Sequence, residues 1–342
     1  MADSIGRRAF LAGIILAGIA ACSPSTSDKG ASLGTPSGSP GLGNGPRGGR
    51  TPGAGNSQGA GNGPGNQPGN GKGPGGPNSA EPPTSGPSTT PSQSPSATAT
   101  ATPTTSATIP TKAQVDAVVA EHASQKPTKW GMAMPGILSK GKSFACITLD
   151  ACGGGAGSGV DTALLDFLIA NAVPATLFLN ARWIKANPKV LERIAAAPKL
   201  EIGNHGTSHV PLSVTGKAAY GIPGTSSARE AADEIMGCQQ LIFDRTGTAP
   251  KFFRPGTAHW DDVAVALCTE LGLIPAGFSI NADGGATLRK ASVAANISSA
   301  RAGDISLGHM NRPRAETGAG HIQGITQLLK AGVPLGTLSQ AI

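Results

Sequence analysis

Aromatic side chains are scarce in this chain: one tyrosine, three tryptophans and eight phenylalanines among 342 residues. Few residues are left from which to build a platform that stacks sugars or bases. No stretch interleaves aromatics with lysine and arginine, so nucleic acid is not expected as a partner despite a formal charge of +7. That excess of positive charge suits contact with anionic polymers. Long apolar runs are missing as well. The longest, Ala9 to Ala21, falls short of the roughly 20 residues that cross a bilayer as a helix. No repeat at a fixed period is visible.

Glycine and proline are plentiful, 50 and 28 residues, and very unevenly spread. From Ser23 to Thr111 the chain is almost entirely Gly, Pro, Ser, Thr, Ala and Asn, with no aromatic residue and no apolar periodicity. Such a stretch cannot bury enough surface to offset the entropy of ordering, so residues 23–111 are expected to form a disordered linker. As a flexible coil it would reach roughly 50 Å, and more where proline stiffens it. Residues 112–342 remain for one globular domain, long enough for a substantial core.

The first 22 residues read as an address. In "GRRAFLAGIILAGIAAC" two arginines precede a short apolar core and a small-residue cleavage site. Arg7-Arg8-Ala9-Phe10-Leu11 resembles a twin-arginine export signal. Ile19 to Cys22 resembles a bacterial lipobox, in which the cysteine becomes the lipid-bearing N-terminus. The expectation is an exported protein tethered to the membrane through lipid on Cys22 and facing the cell wall or periplasm. An ordinary signal peptide with an accidental cysteine is the alternative. The other four cysteines are Cys146, Cys152, Cys238 and Cys268. Cys146 and Cys152 are too far apart to bridge if the residues between them are extended at ~3.3 Å each. Cys238 with Cys268 is open, and so are free buried thiols.

Beyond Thr111, a short amphipathic stretch (Lys112 to Ala123) precedes alternating strand-like and helix-like segments. "SFACITLD", "PATLFLN", "KLEIGNH", "KFFRPG", "LIPAGFSIN" and "GDISLGH" read as strands. "DTALLDFLIANAV", "NPKVLERIAAAP", "SAREAADEIMGCQQLIFDRTG", "DDVAVALCTELG", "KASVAANISSAR" and "HIQGITQLLKAG" read as helices, and a long loop spans Val210 to Ser226. This alternation calls for a parallel sheet with helices outside, open or closed into a barrel. Asp150, His205, Arg254, Asp283 and His309 each fall at or just beyond the C-terminal end of an expected strand, the side on which such folds build active sites.

The residue types suggest chemistry. His205 and His209, in "NHGTSH", are separated by three residues, and a loop leaving a strand can converge both imidazoles on a zinc-like ion. Asp150 shares a strand face with Thr148 and Cys146. Arg254 follows an apolar run, and a buried arginine needs an acidic partner, for which Asp150 is the obvious candidate. Asp283 would orient and charge His309. Gly153 to Gly155 let a loop approach a substrate closely, and no lysine-serine/threonine follows to make it a phosphate cradle.

"TLDACGG", "HGTSH", "FFRPG", "FSINAD" and "ISLGH" occur in the order and rough spacing of the five motifs of NodB-homology polysaccharide deacetylases, carbohydrate esterase family 4. The resemblance covers Phe144 to Ile342. It implies an irregular (β/α) barrel that removes N- or O-acetyl groups from a polysaccharide with a divalent metal such as zinc. It further implies Asp150 as general base, His205 and His209 as metal ligands, Arg254 holding the base, His309 as general acid and Asp283 tuning it. A monomer is expected, with an acetylated amino-sugar polymer such as peptidoglycan as its partner. Two departures stand out. The family's third ligand, an aspartate directly after the first, is Ala151 here, and Arg254-Pro255-Gly256-Thr257 replaces the arginine-proline-aromatic form. Asp150 could then bind the metal itself, Cys152 or a water could complete the site, or the protein could bind glycan without turning it over.

Overall fold

The segment expected to form the first strand, Ala145–Ala151 (β1), is buried along its whole length. Its odd-numbered residues, Ile147, Leu149 and Ala151, join a core with Leu164, Leu168 and Leu177 under the outer helices. Its even-numbered residues face inward, where Cys146 packs with Phe178 and Phe252. Period-two alternation therefore gives this strand an outer apolar face and an inner face free to carry chemistry. The computed structural model describes residues 109–342. The expected signal peptide, Cys22 and the expected linker as far as residue 108 lie outside the described residues.

Seven further strands of the same sheet follow: β2 (Ala175–Leu179), β3 (Leu200–Asn204), β4 (Phe252–Phe253), β5 (Ile274–Pro275), β6 (Ile280–Asn281), β7 (Ile305–His309) and β8 (Leu335–Gly336). All pair in parallel in the order β5-β4-β3-β2-β1-β7-β6, with β8 against Ala145 and Cys146. A flat sheet of seven strands at ~4.8 Å spacing would hold its edges roughly 29 Å apart. The two edge strands, β5 and β6, are joined only by residues 276–279, a reach of at most about 17 Å. The sheet must curl until its edges nearly meet. The result is the irregular (β/α) barrel expected from the sequence.

Nine helices are seen among the described residues: α1 (Lys112–His122), α2 (Thr162–Ala170), α3 (Ala181–Ala186), α4 (Pro188–Ala195), α5 (Ala228–Thr246), α6 (Asp262–Glu270), α7 (Lys290–Ser298), α8 (Thr317–Lys330) and α9 (Leu338–Ala341). Their ends follow local chemistry. Asp161, Ser227 and Asp261 accept first-turn N–H groups of α2, α5 and α6. Proline opens α4, and Gly247 closes α5 in the left-handed region. No helix among the described residues is long and apolar enough to cross a membrane.

The sequence reading needs correction in two places. "LIPAGFSIN" is not one strand but the two opposite edges, β5 and β6. In the segment between them the carbonyls of Ala276 and Gly277 accept from the Arg254 side chain, while the N–H of Ala276 donates to the Phe253 carbonyl and that of Ser279 to the Ile305 carbonyl. Helix α3 follows β2 directly and was not anticipated; six residues are too few to show a helical period. Of the two possibilities left open for Cys238 and Cys268, the structure shows free buried thiols rather than a bridge, and Cys146 is free and buried as well. Burial raises the thiols of Cys238 and Cys268, and pushes Cys146 up to about 12.

Helices α7 and α8 approach closely because α8 presents glycine to its neighbour. A Cβ at Gly324 would lie 2.6 Å from Ile297 Cβ and 2.9 Å from the Ala294 carbonyl. Gly→Ala inside a helix ordinarily gains about 1 kcal/mol, but overpacking costs about 1–3 kcal/mol. Gly324→Ala is therefore expected to lower the denaturant midpoint; a variant more stable than the parent would show that the helices can separate cheaply.

Candidate active site

Asp150 sits near the C-terminal end of β1 and is 3 % exposed; Arg254, just after β4, is fully buried. Arg254 Nη1 donates to Asp150 Oδ1 and to Thr148 Oγ1, both at 2.8 Å. Its Nη2 donates to the Gly277 carbonyl at 2.8 Å, and the guanidinium lies 4.1 Å over the Phe178 ring. A buried guanidinium is tolerable only when its donors are met in this way. The pairing fixes the orientation of the Asp150 carboxylate.

His205 follows β3 directly. Its Nδ1 donates to the backbone carbonyl of Arg254 at 2.8 Å, which fixes the tautomer and leaves Nε2 facing the site. Burial lowers its pKa against the pull of Asp150, so the ring is neutral and its Nε2 lone pair is available. The His209 ring meets that of His205 edge-on, centroids 4.9 Å apart. Cys152 completes the group: its Sγ lies 3.9 Å from His205 Nε2. One donor atom from each of Cys152, His205 and His209 lies within 4.8 Å of the others, and all three residues are buried. A thiolate with two imidazoles at this spacing fits a zinc-like divalent ion. Asp150 stands beside this group, its Oδ2 3.7 Å from His205 Nε2, with its other oxygen committed to Arg254. Ala151 packs under the outer helices, whereas the inward alternation of Thr148 and Asp150, carried one step further, brings Cys152 to the site.

His309 ends β7 and is paired in register with Asp150 on the neighbouring β1. Its backbone N–H donates to Asp283 Oδ2 at 2.8 Å, and its Nδ1 lies 3.0 Å from Asp283 Oδ1. Thr317 Oγ1 adds a third donor at 2.6 Å. Burial opposes ionisation of Asp283, but the His309 ring, His321 and these donors hold the carboxyl well below its ordinary range. Asp150, His205, His209 and His309 open into one pocket, with Phe278 and Leu307 as its apolar wall and Tyr220 at its rim. The five strand-end residues singled out in the sequence thus come together. Trp260 does not line the pocket; it is fully buried against Phe253.

The altered third motif has a steric reason. A Cβ at Gly256 would run into the backbone of His209, so glycine is what lets the histidine loop cross there. Thr257 and Ala258, which line the pocket, continue in the left-handed region.

Residues 138–276 match the protein family described as "Polysaccharide deacetylase". A family 4 carbohydrate esterase pseudoenzyme from Bacillus anthracis matches with a TM-score of 0.51 at 21 % identity, over 61 % of this chain and 69 % of that one. A mutant of that pseudoenzyme with restored enzymatic activity matches at 0.51 and 22 %, over 61 % and 72 %. The Bc1960 peptidoglycan N-acetylglucosamine deacetylase matches at 0.51 and 22 %, over 60 % of this chain and 92 % of that chain. These likenesses concern the fold.

One supporting residue was missed in the sequence. Glu234, on α5, accepts from the backbone N–H of Ser208 at 2.8 Å and of His209 at 2.9 Å. It braces the loop on which His209 adopts a φ of 60°. Its signal was legible: a glutamate on the buried stripe of Ala231, Ile235, Cys238 and Ile242. Burial pushes it up to about 7, against the backbone donors of Ser208, Val210 and His209. The folded protein thus holds this proton more tightly than the unfolded chain, whose glutamate sits near 4.5. Stability should fall as pH rises through that window, and Glu234→Gln should flatten the slope. Glu234→Ala strands buried donors and should cost about 2–3 kcal/mol. Wild-type melting of Glu234→Ala would refute the bracing role.

Proposed function

We propose, from the match of residues 138–276 to the polysaccharide deacetylase family, that this chain is a NodB-homology deacetylase, a metal-dependent hydrolase removing acetyl groups from a cell-envelope amino-sugar polymer. The observation that carries this reading is one pocket holding three things: the Cys152–His205–His209 donor set, the Arg254-held Asp150 and the Asp283-paired His309. Cys152, His205 and His209 would hold the ion. When bound, a divalent ion polarises an acetyl carbonyl, acidifies water and stabilises developing negative charge.

The chain's own residues supply the proton transfers. Asp150, held in place by Arg254, takes a proton from the attacking water. His309, oriented by the adjoining Asp283 carboxylate, gives a proton in its protonated form to the departing amine or alkoxide. Phe278 and Leu307 offer an apolar wall to the acetyl methyl group. Export and a lipid on Cys22 would place this domain, as a monomer on a long tether, within reach of the envelope glycan.

Acetate release from acetylated chito-oligosaccharide or peptidoglycan is expected to be abolished by chelation and by His205→Ala, and restored to the chelated protein by zinc. Cys152→Ala should lose zinc from the purified protein, while Asp150→Asn should retain it and lose about 10²–10⁴ in kcat. Glycan retention with no acetate released would make the protein a binding module instead. Activity on short amides alone would make it a small-molecule amidase.

A further inference from the structure

A second cavity, of about 260 Å³, lies beside the first and is lined by Lys126, Lys129, Trp130 and Lys217. All three lysines are exposed, and among the described residues none forms an ion pair. Their backbone supports are fixed. The N–H groups of Thr128 and Lys129 donate to Asp262 Oδ1 at 2.9 and 3.2 Å, and that of Lys217 donates to Ser213 Oγ at 3.2 Å. The Lys217 ammonium sits 5.4 Å over the Trp130 ring, an attraction that holds it above the cavity. Asp261 also lines this space, but it is 1 % exposed and accepts from the backbone N–H groups of Val214 and Ala264 at 2.7 and 2.8 Å. The Asp261 carboxylate is thus turned inward, that of Asp262 is taken up by Thr128 and the Lys129 backbone N–H, and the three lysines remain exposed.

A line of rings joins the two cavities. Tyr220, at the rim of the pocket, meets His259 edge-on at 5.2 Å between centroids, and His259 lies 5.6 Å from Trp130. Tyr220 is held there at a cost. Ala219 and Ile222 exchange both backbone hydrogen bonds around Tyr220-Gly221, whose φ values are +52° and +76°. This is a two-residue hairpin with a primed turn, in which a tyrosine pays about 1–2 kcal/mol for the left-handed conformation. The strain sets the chain's single tyrosine, 38 % exposed, between the reacting centre and the lysines.

We propose that the Lys126/Lys129/Lys217 cavity is a subsite for a carboxylate-bearing sugar of the glycan whose acetylated residue enters the pocket, so that the protein selects acidic over neutral acetylated glycans. The proposal rests on the hydrolytic reading only for which sugar reacts; the selectivity itself is a property of binding. The carboxylate could be a lactyl ether group, as on muramic acid, or a uronate.

The test uses the zinc-loaded full chain and a Lys126→Gln/Lys129→Gln/Lys217→Gln variant. The probes are chitotetraose, a peptide-free peptidoglycan tetrasaccharide, its carboxyl-reduced form and a hyaluronan tetrasaccharide. Calorimetric binding and acetate release are both read. The lactyl-bearing or the uronate-bearing glycan should bind about tenfold more tightly than chitotetraose at low salt. That advantage should vanish in the carboxyl-reduced form, shrink with ionic strength and disappear in the triple variant, whose kcat on chitotetraose stays at the wild-type value. Which acid shows the advantage identifies the source. Carboxylate-selective, lysine-dependent binding without any acetate would sustain the subsite while removing the hydrolytic reading. Equal binding of all four glycans, or selectivity unchanged in the variant, would overturn the subsite.

Discussion

The arrangement depends on one buried guanidinium. Arg254 lies inside the barrel with no exposed surface, and its side chain reaches β1 through Thr148 and Asp150 and the segment between β5 and β6 through Ala276 and Gly277. Its own carbonyl fixes the His205 ring. Breaking such a buried pair from one side costs about 3–5 kcal/mol, because the charge left behind has no water. The acid partner, a ring that belongs to the candidate metal group and the barrel wall are therefore set by a single residue.

Much of this was legible in the residues. Alternation along β1 separated an outer apolar face from an inner polar one, and strand ends located Asp150, His205, Arg254, Asp283 and His309 before any coordinates. What escaped were contacts between elements distant in sequence. Nothing local in "LIPAGFSIN" says that its two halves belong to opposite edges of a sheet; closing the barrel decides that. Gly256 looked like a damaged motif until the backbone of His209 was seen against it. Glu234 left a signal, a charge on a buried helical stripe, but its partners are 24–26 residues away along the chain.

Ala151 illustrates the same point for the metal group. The family resemblance placed a ligand there, and its loss left three explanations open. Inward alternation favours Cys152, whose sulfur shares the space of His205 and His209. A thiolate is a softer donor than a carboxylate and favours zinc over magnesium or calcium. Swapping ligand type at one position thus bears on which ion the site would select, while Asp150, His309 and their partners keep their arrangement.

The short run from Pro275 to Ile280 has a role beyond linking two edges. Its carbonyls at residues 276 and 277 are the ones the guanidinium grips. The barrel's seam and the aim of the Asp150 carboxylate are thus fastened by the same latch. Any excursion that lets the cylinder gape along that seam disarms the pocket at the same moment, well before the helices outside need to come loose.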